Sequence, residues 1–445
     1  MEGVRVLKFG GAALRDGAAI LRSCERVLSH GGNRPIVVVS AFFGVTDQLL
    51  EACDRALAGD PDGQALRLRH RTICRQLGLP SEVLDRLWAE MQGLLRIIAA
   101  EQRLIPEIRD RVLSFGERAS ARVVAQALSQ AGVPATPVDA FDLGFETDGE
   151  PGGSRLAQGA EQRIGPALAG VPGVPIVTGF LAKDPLGNLT TLGRDGSDWT
   201  AAIVAEAVGA EQLIFWKDVP GILSADPRIV PEAHPLARVS VAEARELAFQ
   251  GAQVLHPASL DSFLHDGPRV RVLSFVDESA PGSELCESIP RAGAVAVTSR
   301  ARLVGVRFAG ESPARMQSKL SAALVRLSSA RLLARMVHQG GDSVRLWFED
   351  GPLTEEVLAQ FPPFAEVDRS LGSAAVVGEN LGEHPELARR CWRGLEELGI
   401  PVHQIQGGTR SHGIAFLLPR EHVAAAVRHL HQHVVGVPLT VSSQP

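Results

Sequence analysis

The segment Thr190-Thr191-Leu192-Gly193-Arg194-Asp195-Gly196-Ser197-Asp198 puts two hydroxyls, two glycines, an arginine and two carboxylates ahead of the helix-forming run Trp199-Thr200-Ala201-Ala202. A helix opening here, capped by Ser197 or Asp198, presents its first N–H groups to an anion. Arg194 can grip a carboxylate through two parallel hydrogen bonds. Lys8-Phe9-Gly10-Gly11 closes an apolar run. Its glycines let the backbone approach an anion and aim N–H groups at it. The lysine at the strand end sets a mobile cation beside transferring phosphates. The spacing is not that of a Walker A loop. In Phe215-Trp216-Lys217-Asp218-Val219-Pro220-Gly221 and the residues up to Arg228, Lys217 and Arg228 can bracket a polyphosphate, and Asp218 can accept from a base or ribose. Each segment alone is also explained as a capped turn or a Pro/Gly-rich surface loop; together they describe phosphoryl-transfer chemistry.

Other candidates read more plainly. Ser114-Phe115-Gly116-Glu117 opens a helix, where the macrodipole accounts for an acidic first turn. Gly251 to Pro257 reads as a helix end, with His256 structural and not a metal ligand, since no second His stands at ligand spacing. His429, His431 and His433 read as solvated histidines favoured by a helix C-terminus. The basic stretch 315–335 reads as an amphipathic helix with a solvated face, not a membrane or nucleic-acid element.

Continuous apolar runs (Val4–Phe9, Ile36–Val39, 173–182 and 211–216) alternate with helical patterns, which predicts an α/β fold with a mainly parallel sheet sandwiched by helices. Residues 64–130 read as a helix-rich insertion. The reading places one domain at 1–288, with Ser288–Ser299 as its boundary. After it the pattern becomes α+β: a degenerate strand–helix module over 300–370, then a clearer one over 371–445, both of βαββαβ type.

The chain has 445 residues and a net charge of −6, which argues against a general nucleic-acid binder. No apolar run approaches the length of a membrane span, and no charged and apolar leader precedes Val4, so no secretory signal is expected. The five scattered cysteines lack CxxC spacing and read as reduced thiols of a cytoplasmic chain.

Taken in order, KFGG at 8–11, VVVSAFFGVTDQLL at 37–50, SFGERAS at 114–120, GFLA and TTLGRDGSDWTAA within 179–202, FWKDVPGILSADPR at 215–228, ELAFQGAQVLHP at 246–257 and APGSEL at 280–285 resemble the aspartate kinase family, within the amino-acid kinase fold. AVVGEN and HQIQGGTRSHGIAFLL resemble the second of that family's two ACT domains; 300–370 resembles the first faintly. The resemblance implies ATP-dependent phosphorylation of the side-chain carboxylate of L-aspartate to 4-phospho-L-aspartate, the first step of the aspartate-family pathway that includes lysine biosynthesis. It implies Lys8 and Asp198 as catalytic residues, Lys8 against the γ-phosphoryl charge and Asp198 orienting it. Thr46, Glu117, Phe180, Arg194 and Ser197 form the substrate pocket, Glu117 taking the ammonium and Arg194 the α-carboxylate. Lys8, Gly10, Gly11, Ser40, Lys217, Asp218, Leu223, Arg228 and Gln253 line the ATP side. Mg²⁺ arrives bound to ATP, with no metal site of the chain's own. A homodimer or larger assembly through the ACT modules is expected, with no nucleic-acid or membrane partner.

This chain departs from the family's pattern at four places. Ala12 and Ala13 replace hydroxyl residues after KFGG, Ala182 replaces Gly, and Asp195 puts a carboxylate beside two substrate anions. These keep open a kinase of a related amino-acid carboxylate in a specialised pathway, or a catalytically weak regulatory homologue. The turn Gly310-Glu311-Ser312-Pro313-Ala314-Arg315 makes a poor effector cradle, so feedback by lysine or threonine is expected to be weak or absent, or to use an unusual ligand.

Overall fold

The computed structural model describes residues 3–149, 155–193, 195–252, 255, 259–260, 267–291, 293–309, 312–330, 332–351, 353–362, 365–408 and 410–436. Arg194, Gln253, His256, Gly310 and Glu311 lie outside the described residues. The chain divides into two compact units: Met1–Ile222, Ala237–Val241 and Leu255–Glu287 form one, and Leu223–Leu236, Ala242–Val254 and Ser288–Pro445 form the other.

The first unit is built on strands β1 (Val4–Phe9), β2 (Arg34–Val39), β3 (Ala135–Val138), β4 (Val174–Thr178), the hairpin β5 (Leu181–Lys183) and β6 (Leu189–Thr191), then β7 (Gln212–Lys217), β8 (Arg238–Ser240), β9 (Arg269–Ser274) and β10 (Ser283–Cys286). Eight of them form one sheet in the order β3-β4-β2-β1-β7-β9-β10-β8. Every neighbouring pair in it is parallel except β9 with β10. The central strands are buried along their length because helices cover both faces, as their unbroken Val/Leu/Ile runs demand.

Those helices are α1 (Gly17–His30), α2 (Val45–Leu57), α3 (Gln64–Gln76), α4 (Asp85–Glu101), α5 (Pro106–Gln130), α6 (Glu161–Ala169) and α7 (Gly196–Ala207). The 64–130 helices share one apolar core with the sheet, Leu66, Ile73, Trp88 and Val124 packing in the cluster that holds Leu7, Phe9 and Val37. Helix α5 starts with Pro106 at its first turn, where a missing N–H costs nothing. Glu117 therefore sits in mid-helix and buried, not in a first turn as the sequence reading had it. Its macrodipole explanation falls with that. At Gly116 a Cβ would stand 2.7 Å from the Ala41 Cβ, so only glycine lets α5 lie this close to the end of β2.

The second unit holds two antiparallel four-stranded sheets. Its strands are β11 (Ala296–Arg300), β12 (Leu303–Ala309), β13 (Ala334–Gln339), β14 (Ser343–Glu349), β15 (Glu366–Asp368), β16 (Leu371–Val377), β17 (Gln404–Gln406) and β18 (Gly413–Pro419). One sheet runs β13-β14-β12-β15 with helices Pro313–Ser329 and Thr354–Leu358 between its strands, a βαββαβ order. The other runs β11-β16-β18-β17, with helices Pro385–Glu397 and Val423–Val434. Most of its strand β11 comes from the stretch 288–299 that the sequence reading took as the domain boundary. Five residues of β11 pair antiparallel with β16, Ala296 opposite Val377 through Arg300 opposite Ser373. The first module is thus inserted between one strand of the second and the rest. The run is too short to announce itself, and only its partner strand makes it a strand.

His431 is another correction. It is not a frayed, solvated residue: its Nε2 lies 2.8 Å from Ser224 Oγ, a fully buried hydroxyl. No described helix is long and apolar enough to cross a membrane.

Candidate active site

Side chains alternate along a strand, and that places Lys8 and Lys217 on one face of the sheet. Lys8 of β1 is in register with Phe215 of β7, and Lys217 lies two residues further along β7. Between the two ammonium groups stands Asp198, in the first turn of α7. Asp198 Oδ1 is 2.5 Å from Lys8 Nζ and its Oδ2 is 2.8 Å from Lys217 Nζ. Lys8 and Asp198 are almost wholly buried, while Lys217 keeps some exposure. Burial works against the Asp198 charge, but Lys217 and Lys8 more than offset it and hold its carboxyl well below the usual range. Burial lowers the Lys8 pKa, and Asp198 opposes that shift. Burial also weighs on Lys217, whose pKa is nonetheless raised by Asp198. The arrangement sets two ammonium groups on one carboxylate at the end of the central strands.

Helix α7 is not capped by Ser197 or Asp198. Its cap position is Asp195, whose side chain makes no capping bond, and Ser197 and Asp198 fall inside the first turn. Asp195 is exposed and left-handed at φ 58°, and Phe180 is left-handed at φ 68°. Backbone of that kind is costly for a non-glycine residue and clusters at functional sites. Phe180 is held there by its N–H, which donates to Thr200 Oγ1 at 3.0 Å, and by its carbonyl, which accepts from Leu192 N. Gly179 packs so closely on Ser197 that a Cβ would come within 2.5 Å of the Ser197 Cβ. Phe180 and Ser197 are thereby brought to one place.

Glu117 comes to the same floor from α5. Burial pushes its carboxyl up to about 8, eased by the backbone of Ala41 and by Lys8. Its Oε2 is buried without a hydrogen-bond partner among the described residues. An unsatisfied buried acceptor is expensive, and an ammonium group would satisfy it. Thr46, half-buried, lies in the first turn of α2.

Of the two glycines only Gly11 is tightly approached. Gly10 is extended, and a Cβ on it would lie 3.5 Å from Lys8 Nζ; one on Gly11 would meet the Ala41 carbonyl at 3.3 Å. Ser40 joins them, its N–H donating to the Phe9 carbonyl and its carbonyl accepting from Ser120 Oγ at 2.6 Å. Ala13 is buried and Ala12 packs against the core, so both substitutions face inward packing.

The residues that the resemblance assigns to ATP are divided between the two units. Lys217 and the exposed Asp218 belong to the first unit; Leu223 and Arg228 belong to the second. Arg228 is exposed and its Nη2 pairs with Asp226 Oδ2 at 2.7 Å. Two features escaped sequence reasoning: the sharing of Asp198 between two lysines, and the left-handed Phe180. The sequence signal for the first was there, a second lysine at the end of another apolar run.

Residues 3–274 match the Amino acid kinase family, and residues 375–434 match an ACT domain. Lysine-sensitive aspartokinase 3 of Escherichia coli (strain K12) is 29% identical over 460 residues, covering 98% of this chain and 100% of its own length. Aspartokinase 1, chloroplastic, of Arabidopsis thaliana is 33% identical over 290 residues, 62% of this chain, and the chain spans 51% of that relative's length. The crystal structure of E. coli aspartokinase III in complex with aspartate and ADP (R-state) matches with a TM-score of 0.84 at 28% identity, covering 97% of this chain and 99% of that one. The chain belongs to the amino acid kinase family. Within it, the relatives it resembles are aspartokinases, and its second unit carries an ACT domain.

Proposed function

We propose that the chain transfers the γ-phosphoryl group of ATP to the side-chain carboxylate of L-aspartate, giving 4-phospho-L-aspartate and ADP, and so opens the aspartate-family route that includes lysine. The observation that carries this reading is the Lys8–Asp198–Lys217 bridge beside the buried, unpartnered Glu117 oxygen. A cationic end of the sheet suits a phosphoryl group, and a buried carboxylate oxygen suits the acceptor's ammonium.

The acceptor is already a carboxylate, so no general base is needed, and the chain's work is positioning and charge neutralisation. An acceptor oxygen bonds to the γ-phosphorus as the bond to the β–γ bridging oxygen breaks, and ADP leaves with that electron pair. Lys8, steadied by Asp198, neutralises the transferring group, and the Gly10 and Gly11 N–H groups lie at the same strand end. Thr46, Phe180 and Ser197 enclose the acceptor, and Arg194 holds its α-carboxylate. Ser40, Lys217, Asp218, Leu223, Arg228 and Gln253 serve the nucleotide. Among the described residues no group of three or more His, Cys, Asp or Glu side chains stands together to hold a metal. In this reading Mg²⁺ travels on the ATP phosphates and, when bound, neutralises their oxygens. The protein acts in the cytoplasm as a homodimer or larger, paired through its ACT modules.

Asp195 favours a second reading, a different amino-acid acceptor, because its exposed carboxylate acts electrostatically on both Lys8 and Lys217. Trapping acyl phosphate with hydroxylamine, across a panel of amino acids with Mg-ATP, separates the readings. A hydroxamate from L-aspartate is expected. Product from another acid alone overturns the aspartate reading, and no product from any points to the weak regulatory homologue.

A further inference from the structure

Ser224 is a fully buried hydroxyl that the phosphoryl transfer does not use. It follows Leu223 and leads towards Arg228, two of the residues assigned to ATP. Its N–H donates to the His234 carbonyl at 2.9 Å, and the His234 N–H donates back to Ser224 Oγ at 3.1 Å. Ser224 and His234 thereby close 224–234 into a loop. Within it the Arg228 N–H donates to Asp226 Oδ1 at 2.9 Å, so the place of Arg228 follows from that of the loop.

The loop is fastened to the second unit's own sheet and helix. The Val297 N–H of β11 donates to the Ser224 carbonyl at 2.8 Å. Ala225 and Val230 share one apolar cluster with Val297, Val376, Leu430 and Val434. His431, on the helix Val423–Val434 and within the residues that match an ACT domain, brings its Nε2 to 2.8 Å from Ser224 Oγ. Among the described residues His431 makes no other side-chain hydrogen bond. A serine hydroxyl has one hydrogen to give and two lone pairs to fill. One lone pair takes the His234 N–H. His431 Nε2 and His234 Nδ1, the latter at 3.3 Å, share what is left: the hydroxyl gives its hydrogen to one ring and takes one from the other. Burial, with His234 beside it, lowers the His431 pKa, so at neutral pH its ring can play either part. Without His431 the buried hydroxyl loses its shorter ring partner, and a buried polar group left underbonded is costly.

We propose that His431 is a positioning residue for the nucleotide: through Ser224 it holds the loop of Leu223 and Arg228 in the arrangement that serves ATP. This deepens the kinase reading and rests on it, since that reading assigns Leu223 and Arg228 to the nucleotide. None of the acceptor residues, Thr46, Glu117, Phe180, Arg194 and Ser197, lies on this loop, so the effect falls on ATP. A loop in place for only part of the time weakens the apparent affinity by that fraction.

The test compares His431→Asn, His431→Gln, His431→Leu and Ser224→Ala in the full-length chain, by KM for ATP and for L-aspartate and by the Kd of Mg-ADP from titration calorimetry. A Gln amide reaches where Nε2 stands; an Asn amide reaches only as far as Nδ1. His431→Asn and His431→Leu are expected to raise the ATP KM and the Mg-ADP Kd by about three- to tenfold, the net worth of one hydrogen bond, and to leave the aspartate KM within about twofold. His431→Gln, which can give or take a hydrogen at the same place, should stay within about twofold of wild type in all three. Ser224→Ala should move the same way as His431→Asn, and adding His431→Asn to it should change the ATP KM by less than about twofold, because the bond is already gone. Equal rises in the ATP and aspartate KM, a lowered Tm with an unchanged ATP KM, or a His431→Gln no better than His431→Asn overturns the proposal and leaves a structural staple. If His431→Leu or Ser224→Ala does not fold, the contrast between His431→Asn and His431→Gln decides. A wild type that binds Mg-ADP but phosphorylates a different amino acid, or none, overturns the aspartate reading only, and the variants are then scored on the Kd. A wild type that binds no Mg-ADP overturns both.

Discussion

Asp198 stands between Lys8 and Lys217, 2.5 Å from one ammonium and 2.8 Å from the other, in the first turn of a helix whose N-terminus faces the same place. One carboxylate thus sets the position of two cations from neighbouring parallel strands. Lys8→Ala removes one of them but leaves Asp198 paired with Lys217, so no buried charge is stranded. The fold should survive, by circular dichroism, while kcat falls by about 10²–10³, the usual loss for one partner of developing charge. Retained kcat would remove Lys8 from the chemistry.

Asp198→Asn is predicted to be worse for stability than Lys8→Ala. It leaves two ammonium groups facing a neutral amide, and breaking a buried pair from one side typically costs about 3–5 kcal/mol. Lys217 keeps some exposure, which screens part of that. Urea denaturation of the two variants gives the order directly.

Glu117 links activity and stability to pH. Its carboxyl is pushed up to about 8 by burial, against the ordinary carboxylate range. Between that range and about pH 8 the folded protein keeps a proton that the unfolded chain has released, so stability falls as pH rises through the window. Acceptor binding should move oppositely, since only the charged carboxylate pairs with an ammonium: the aspartate KM should fall from pH 7 to pH 9. Glu117→Gln should flatten the KM profile, weaken acceptor binding throughout, and melt later than wild type at pH 8. A KM that stays pH-dependent in Glu117→Gln would assign the titration to another group.

Gly116→Ala adds a methyl 2.7 Å from the Ala41 Cβ, at the seam between α5 and the end of β2. Overpacking of this kind costs about 1–3 kcal/mol. Because Glu117 is the next residue, the aspartate KM should rise with the loss of stability. Gly93→Ala, on the neighbouring helix α4 with open space around it, serves as the control and should be neutral or stabilising.

Asp195→Gly relieves a left-handed residue that makes no capping bond. A gain of about 0.5–1 kcal/mol is expected from the backbone alone. Removing this carboxylate from the neighbourhood of Lys8 and Lys217 should also lower the acceptor KM. An acceptor KM that rises instead would make Asp195 part of acceptor recognition.

Much of this protein is legible before folding. Unbroken β-branched runs such as Val37-Val38-Val39, set between helical patterns, argue for strands buried on both faces, and they made the parallel sheet readable. KFGG and TTLGRDGSD carry their chemistry in local order, because a strand end, a glycine turn and a helix start are each written within a few adjacent residues. What lay beyond reach depends on contacts distant in sequence. Glu117 was placed in a first helical turn although Pro106 marks an earlier start; its burial in mid-helix depends on what α5 packs against. Strand β11 fell in the stretch read as a domain boundary, since a short apolar run becomes a strand only when β16 offers it hydrogen bonds. Asp198 alone reads as a helix-start carboxylate; its sharing by Lys8 and Lys217 exists only because β1 and β7, two hundred residues apart, lie side by side in register.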